Sequence, residues 1–143
     1  MVKGVLLFVV VCLIPSAFSL VQEDQYAPTL LAIYKDFLQR CKMYTGVTED
    51  LIKQVREGNF PEDNSIKRYN DCLWTHHNYL IKPDRSIDER KAKYLLPKGS
   101  DPIVQVVVKC NSDNAGEAND TEFFWKMHKC YHANIDSSMY YFL

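Results

Sequence analysis

Asp101-Pro102-Ile103-Val104-Gln105-Val106-Val107-Val108-Lys109-Cys110 is the stretch on which the fold class turns. Its β-branched run, Ile103 to Val108, suits a buried strand. The two residues in front point the other way: Asp101 serves as an N-cap and Pro102 takes the first helical position, where a missing N–H leaves nothing unpaired. A strand also needs a partner, and no second β-like segment stands elsewhere in the chain. The stretch is therefore read as helix, and the chain as all-α.

The flanks agree with that reading. Ser86-Ile87-Asp88-Glu89 has the spacing of a capping box, so a helix is expected from there to about Leu96, stopped by Pro97. On the other side, Asn119-Asp120-Thr121-Glu122 is a cap-like start followed by Phe123, Phe124, Met127, Cys130 and Tyr131 at helical offsets. Further back, Leu30, Tyr34, Phe37, Leu38 and Cys41 line one face of a first helix that Pro28 opens and Gly46 stops. Thr48 caps a short second helix with Leu51, Ile52 and Val55 inward and Gly58 at its end. A third begins near Asn64, with Ile66, Tyr69, Leu73, His77 and Leu80 as its inward stripe and Pro83 beyond it. The expectation is six short helices and an apolar tail, Met139-Tyr140-Tyr141-Phe142-Leu143.

At 143 residues, with 47% hydrophobic and 24% charged, the chain has the composition of one globular domain. A formal charge of −1 argues against nucleic acid or an anionic membrane surface as the main partner. Lys3, the ten apolar residues Val5 to Ile14, and the small residues of Ala17-Phe18-Ser19 read as a secretory signal, residues 1–19, cleaved after Ser19. That apolar run is too short to span a bilayer, which takes roughly 20 residues. The mature domain, 20–143, is expected to be secreted, extracellular and without membrane insertion.

Cys12 leaves with the signal, and Cys41, Cys72, Cys110 and Cys130 remain. An even number in a small exported chain reads as a disulfide framework, whose three possible connectivities spacing alone cannot separate. A metal reading has to be weighed against it. His128, Cys130 and His132 are close in sequence, and Cys72 lies four residues before His76, but zinc would need thiolates free of disulfides. No metal site is assigned. No nucleophile elbow, phosphate-binding glycine loop or zinc-protease motif is present either, so no catalytic residue and no cofactor is assigned. Asn119-Asp120-Thr121 is a glycosylation sequon, although Asn119 also stands where a helix N-cap is expected.

With the cysteines on helices, the chain resembles insect odorant-binding proteins of the pheromone/general odorant-binding family. The family pattern has six cysteines, the second and third separated by three residues and the fifth and sixth by eight. Cys41 matches the first, Cys72 the third, Cys110 the fourth and Cys130 the sixth, while Arg68 and Thr121 stand where the second and fifth would be. Those two are bonded to each other in the family, so their joint absence is self-consistent, and the chain resembles the four-cysteine "minus-C" subgroup. Tyr44-Thr45-Gly46-Val47-Thr48-Glu49-Asp50-Leu51 and Gly58-Asn59-Phe60-Pro61-Glu62-Asp63 resemble family segments as well.

The resemblance implies Cys41–Cys72 and Cys110–Cys130 disulfides and a compact helical bundle around an internal apolar cavity. It implies a carrier of small hydrophobic semiochemicals in aqueous lymph, with no enzymatic step and with a membrane odorant receptor as a further partner. Monomer and weak homodimer both stay open. Candidate ligand contacts are Tyr94, Leu95, Val104, Val107, Val108, Phe124, Met127, His128 and Tyr131, with Tyr140 and Phe142 from a tail that closes the pocket. Tyr94, His128 and Tyr140 are its polar members. A scavenger of small mediators in saliva, venom or seminal fluid is the alternative. It would need an acidic group for an amine, and no acidic residue lies clearly on an inward stripe. A helical signalling protein with a filled core is a third possibility.

Overall fold

Burial along the decisive stretch follows the helical period: Val104, Val107, Cys110 and Asn111 are buried while Gln105 and Lys109 face solvent. The structure, a computed structural model, describes residues 28–76 and 80–142, with side chains from residue 31. The expected signal segment, the side chains of Leu30 and His77, and Leu143 lie outside the described residues. Six helices make the fold: α1 Pro28–Thr45, α2 Glu49–Arg56, α3 Asn64–His76, α4 Glu89–Leu95, α5 Asp101–Asp113 and α6 Asp120–Asn134. Among the described residues the sole β pairing is one antiparallel bridge, Ile81 to Ile87.

Most boundaries have the expected chemistry. The Thr48 hydroxyl accepts from the Leu51 amide, and the Asn119 side-chain oxygen accepts from the Glu122 amide at 3.0 Å. Gly46 and Gly58 close α1 and α2 with positive φ. At Gly58 (φ +84°) a side chain would also collide with the His132 ring, 2.6 Å from where a Cβ would lie.

Two start signals are corrected. The Ser86–Glu89 capping box does not form, because the Asp84 carboxylate takes both the Ser86 amide and its hydroxyl. The cap passes to Asp88, which accepts from the Lys91 amide at 3.1 Å. The N-cap of α5 is Ser100 rather than Asp101, which places Pro102 second in the helix, still ahead of the first ladder bond.

α6 is the central element. It packs on α3 and α5, while α1 packs on α3 and α4 on α5. One core cluster joins Cys41, Ile52, Val55, Ile66, Tyr69, Leu73 and Trp125; a second joins Cys110, Phe123, Phe124 and Met127. Two disulfides fix this arrangement. Cys41–Cys72 staples α1 to α3 and Cys110–Cys130 staples α5 to α6, with Cα separations of 5.8 and 5.6 Å. In the chain-entropy account each contributes on the order of 3–4 kcal/mol.

α3 and α6 share no covalent tie. Polar contacts stand there instead: the Thr121 hydroxyl donates to Asp71 at 2.7 Å, and the buried Lys67 ammonium pairs with Glu122 at 2.8 Å and also with Glu62. The Arg68 guanidinium runs to the Thr45 carbonyl at the end of α1.

Candidate functional site

Between α1, α3, α5 and α6 the side chains leave a pocket of about 140 Å³. A water needs roughly 10–15 Å³ on this measure, so the space suits on the order of ten non-hydrogen atoms. Tyr34 comes from α1; Asn70, Leu73 and Trp74 from α3; Ile103, Val104 and Val107 from α5; His128 and Tyr131 from α6. Leu80 and Ile87 of the α3–α4 connection, Ala92 of α4, and Leu96 and Ser100 after it complete one side, and Tyr141 and Phe142 of the tail close another. Among the described residues no Asp or Glu lines it.

The wall is apolar for reasons already present in the helices. Val104 and Val107 are one turn apart on α5, and α6 presents His128 and Tyr131 at the same spacing. α4 has seven residues and turns only Ala92 fully inward.

The polar end of the pocket is a connected chain of side chains. His128 is 2% exposed, its Nδ1 lying 2.6 Å from the Asn70 carboxamide and its Nε2 2.9 Å from the Tyr140 hydroxyl. That hydroxyl donates onward to the Val55 carbonyl at 3.0 Å. Burial pushes the His128 imidazole down to about 3, with the nearby His132 adding to the shift, so the ring is neutral at ordinary pH. Burial also raises the Tyr131 hydroxyl to about 12 and holds Tyr140 higher still, so both stay protonated.

The tail is fastened beside this chain. Arg56 Nε donates to the Phe142 carbonyl at 3.2 Å, and the Tyr141 amide donates to the Tyr131 hydroxyl at 3.1 Å. The Phe142 ring sits 4.7 Å from His128 and 6.0 Å from Tyr69, centroid to centroid.

The candidates read from sequence separate into groups. Val104, Val107, His128, Tyr131 and Phe142 meet at the pocket, and Tyr140 stands one hydrogen bond behind it. Phe124 and Met127 are buried in the second core cluster instead. Val108 lines a separate pocket with Lys82, Asn111 and Phe123, and Leu95 is half-buried off the wall. Tyr94 is 87% exposed on the outside of α4 and does not reach the pocket. Sequence reasoning missed Asn70, which is fully buried. Its signal was there to find: counting four from Ile66, the slot between Tyr69 and Leu73 on the inward stripe of α3 is filled by an amide.

An all-helical shell, two disulfides and a small apolar pocket define a small-ligand binding protein. Residues 23–134 match the family model described as the PBP/GOBP family, the insect odorant- and pheromone-binding proteins, and the chain belongs to that family. Its members are binding proteins rather than enzymes, and membership implies the general function of carrying small hydrophobic odorants or pheromones.

Proposed function

We propose that this chain is a secreted carrier, of the four-cysteine subgroup, that holds one small hydrophobic semiochemical in this pocket and moves it through aqueous lymph. The observation that carries the proposal is the pocket itself: apolar on most sides, sized for about ten non-hydrogen atoms, with Asn70 and His128 at one end. A ligand burying about 250 Å² of apolar area gains about 6 kcal/mol before ordering costs. The two disulfides suit an oxidising extracellular compartment. The tail acts as one wall, so ligand affinity depends on its seat beside His128. An amine scavenger is disfavoured because, among the described residues, no carboxylate stands at the wall to meet a cation.

Displacement of an apolar fluorescent probe by volatile alcohols, esters and terpenoids tests the carrier reading. Micromolar displacement is expected; a protein that takes up neither probe nor competitor has no carrier role. The subgroup assignment has its own test. Thr121 bonds to Asp71, one turn along α3 from Arg68, so Arg68→Cys with Thr121→Cys should cross-link on oxidation. The bond should add about 4 kcal/mol if unstrained. Two thiols that stay free would show that these are not the vacated cysteine positions.

A further inference from the structure

Asn119-Asp120-Thr121 is the one Asn-X-Ser/Thr triplet in the chain, and its middle residue is not proline. Sugar attachment at such a triplet uses the carboxamide nitrogen of the asparagine. A helix N-cap uses the same side chain through its carboxamide oxygen. At Asn119 the two uses fall on different atoms. Oδ1 accepts from the Glu122 amide at 3.0 Å, and because an N–H can be met only by an acceptor, that contact fixes which way the carboxamide is turned. Nδ2 is left over, and among the described residues it makes no hydrogen bond. The residue is exposed, as are Ala118 and Asp120 on either side of it.

An N-linked sugar replaces one hydrogen of Nδ2 and leaves Oδ1 with its lone pairs, so the bond to the Glu122 amide survives the modification. Capping and glycosylation are therefore compatible at this residue. The Thr121 hydroxyl, which the triplet also needs, donates to Asp71 at 2.7 Å once the chain is folded, and it is uncommitted in the nascent chain that receives the sugar. The loop before α6 is open: a side chain at Gly116 would meet nothing within 4 Å. The apolar pocket takes no wall residue between Val107 and His128, so the attachment point is not part of it. Disulfides and a family that is typically secreted put the chain on the export route, where this modification is made.

We propose that Asn119 is an N-glycosylation site, modified on Nδ2 during export while its Oδ1 goes on to cap α6. The donor is an oligosaccharide carried on a lipid diphosphate. Nδ2 forms a bond to the anomeric carbon of the first sugar as the bond from that carbon to the diphosphate oxygen breaks. The diphosphate leaves with the electron pair, Nδ2 gives up one proton, and nothing is oxidised or reduced. The product is a bulky hydrophilic group at the exposed start of α6. This site does not depend on what the pocket holds.

The test expresses the full chain in insect cells beside a known secreted glycoprotein and measures intact mass before and after peptide N-glycosidase. The protein should be heavier than its polypeptide by an increment of hexose and N-acetylhexosamine, and the enzyme should remove that increment and leave Asp at position 119. Asn119→Asp should abolish it while still folding, since Asp caps a helix as well as Asn does. Thr121→Ser should keep the increment, and Thr121→Val should lose it. A chain at its bare polypeptide mass beside a glycosylated control, whether recovered from medium or from cells, would overturn the proposal. So would a sugar that persists in Asn119→Asp. Neither result bears on the carrier reading, because no ligand enters the measurement.

Discussion

Lowering the pH from 7.5 to 5 should remove about 2 kcal/mol of stability through His128 alone. The sign follows from the direction of the shift. The folded imidazole is held at about 3, below its ordinary 6.5, so between those values the unfolded chain binds a proton that the folded chain refuses. His128's contribution is therefore complete above pH 6.5 and is lost as pH falls below it, by about 1.4 kcal/mol for each further unit. Urea unfolding followed by tryptophan fluorescence at several pH values between 5 and 7.5 measures the slope. Carboxylates held low, such as Glu49, Glu62 and Glu117, act only below about pH 4.5, their ordinary value. Asp71 is raised by burial and acts with the opposite sign, again in the carboxylate range. A parallel series on His128→Gln separates His128 from the other histidines. A flat profile in the unmodified protein, or an unchanged slope in the variant, would refute the reasoning.

Three further outcomes follow from the same neighbourhood. Truncation after Ser138 removes the buried Tyr140 and Phe142, each contributing about 1.5–3 kcal/mol, and should lower both the melting temperature and probe affinity; unchanged affinity would show that the tail is not a wall of the binding site. Tyr140→Phe leaves His128 Nε2 and the Val55 carbonyl without the hydroxyl between them and should cost about 1–3 kcal/mol in chemical unfolding. Gly58→Ala combines a left-handed backbone with a collision against His132, and a loss of about 1–2 kcal/mol is expected in thermal melts.

Helix existence was legible in the sequence wherever an apolar stripe and an end signal coincided. α5 shows how: β-branched propensity favoured a strand, but Pro102 at the start and the want of a pairing segment outweighed it, and tertiary packing of Val104 and Val107 completes the case. Spacing alone misled at Ser86, where a carboxylate two residues earlier competed for the same amide. Stripe reasoning also assumes that one face of a helix stays wet, and α6 breaks that assumption: Phe123, Phe124, Trp125, Met127, His128 and Tyr131 are all buried because the helix runs through the middle of the bundle. Asn70 is interior by its position on the α3 stripe, which residue type alone does not reveal. Tyr94 suits a polar pocket member by residue type, but a seven-residue helix packed on α5 leaves that position outside.

The two disulfide loops, 41–72 and 110–130, do not overlap along the chain. A peptide bond hydrolysed inside either loop leaves the molecule in one covalent piece. Hydrolysis anywhere between Leu73 and Lys109 splits it into two pieces, one bearing Tyr34 and Asn70 and the other His128 and Tyr131. That interval contains α4, whose Arg90, Lys91 and Lys93 are exposed to a trypsin-like protease. One cut there leaves the two sides of the pocket with no covalent link and needs no reductant, whereas a nick in either loop leaves them joined by a disulfide.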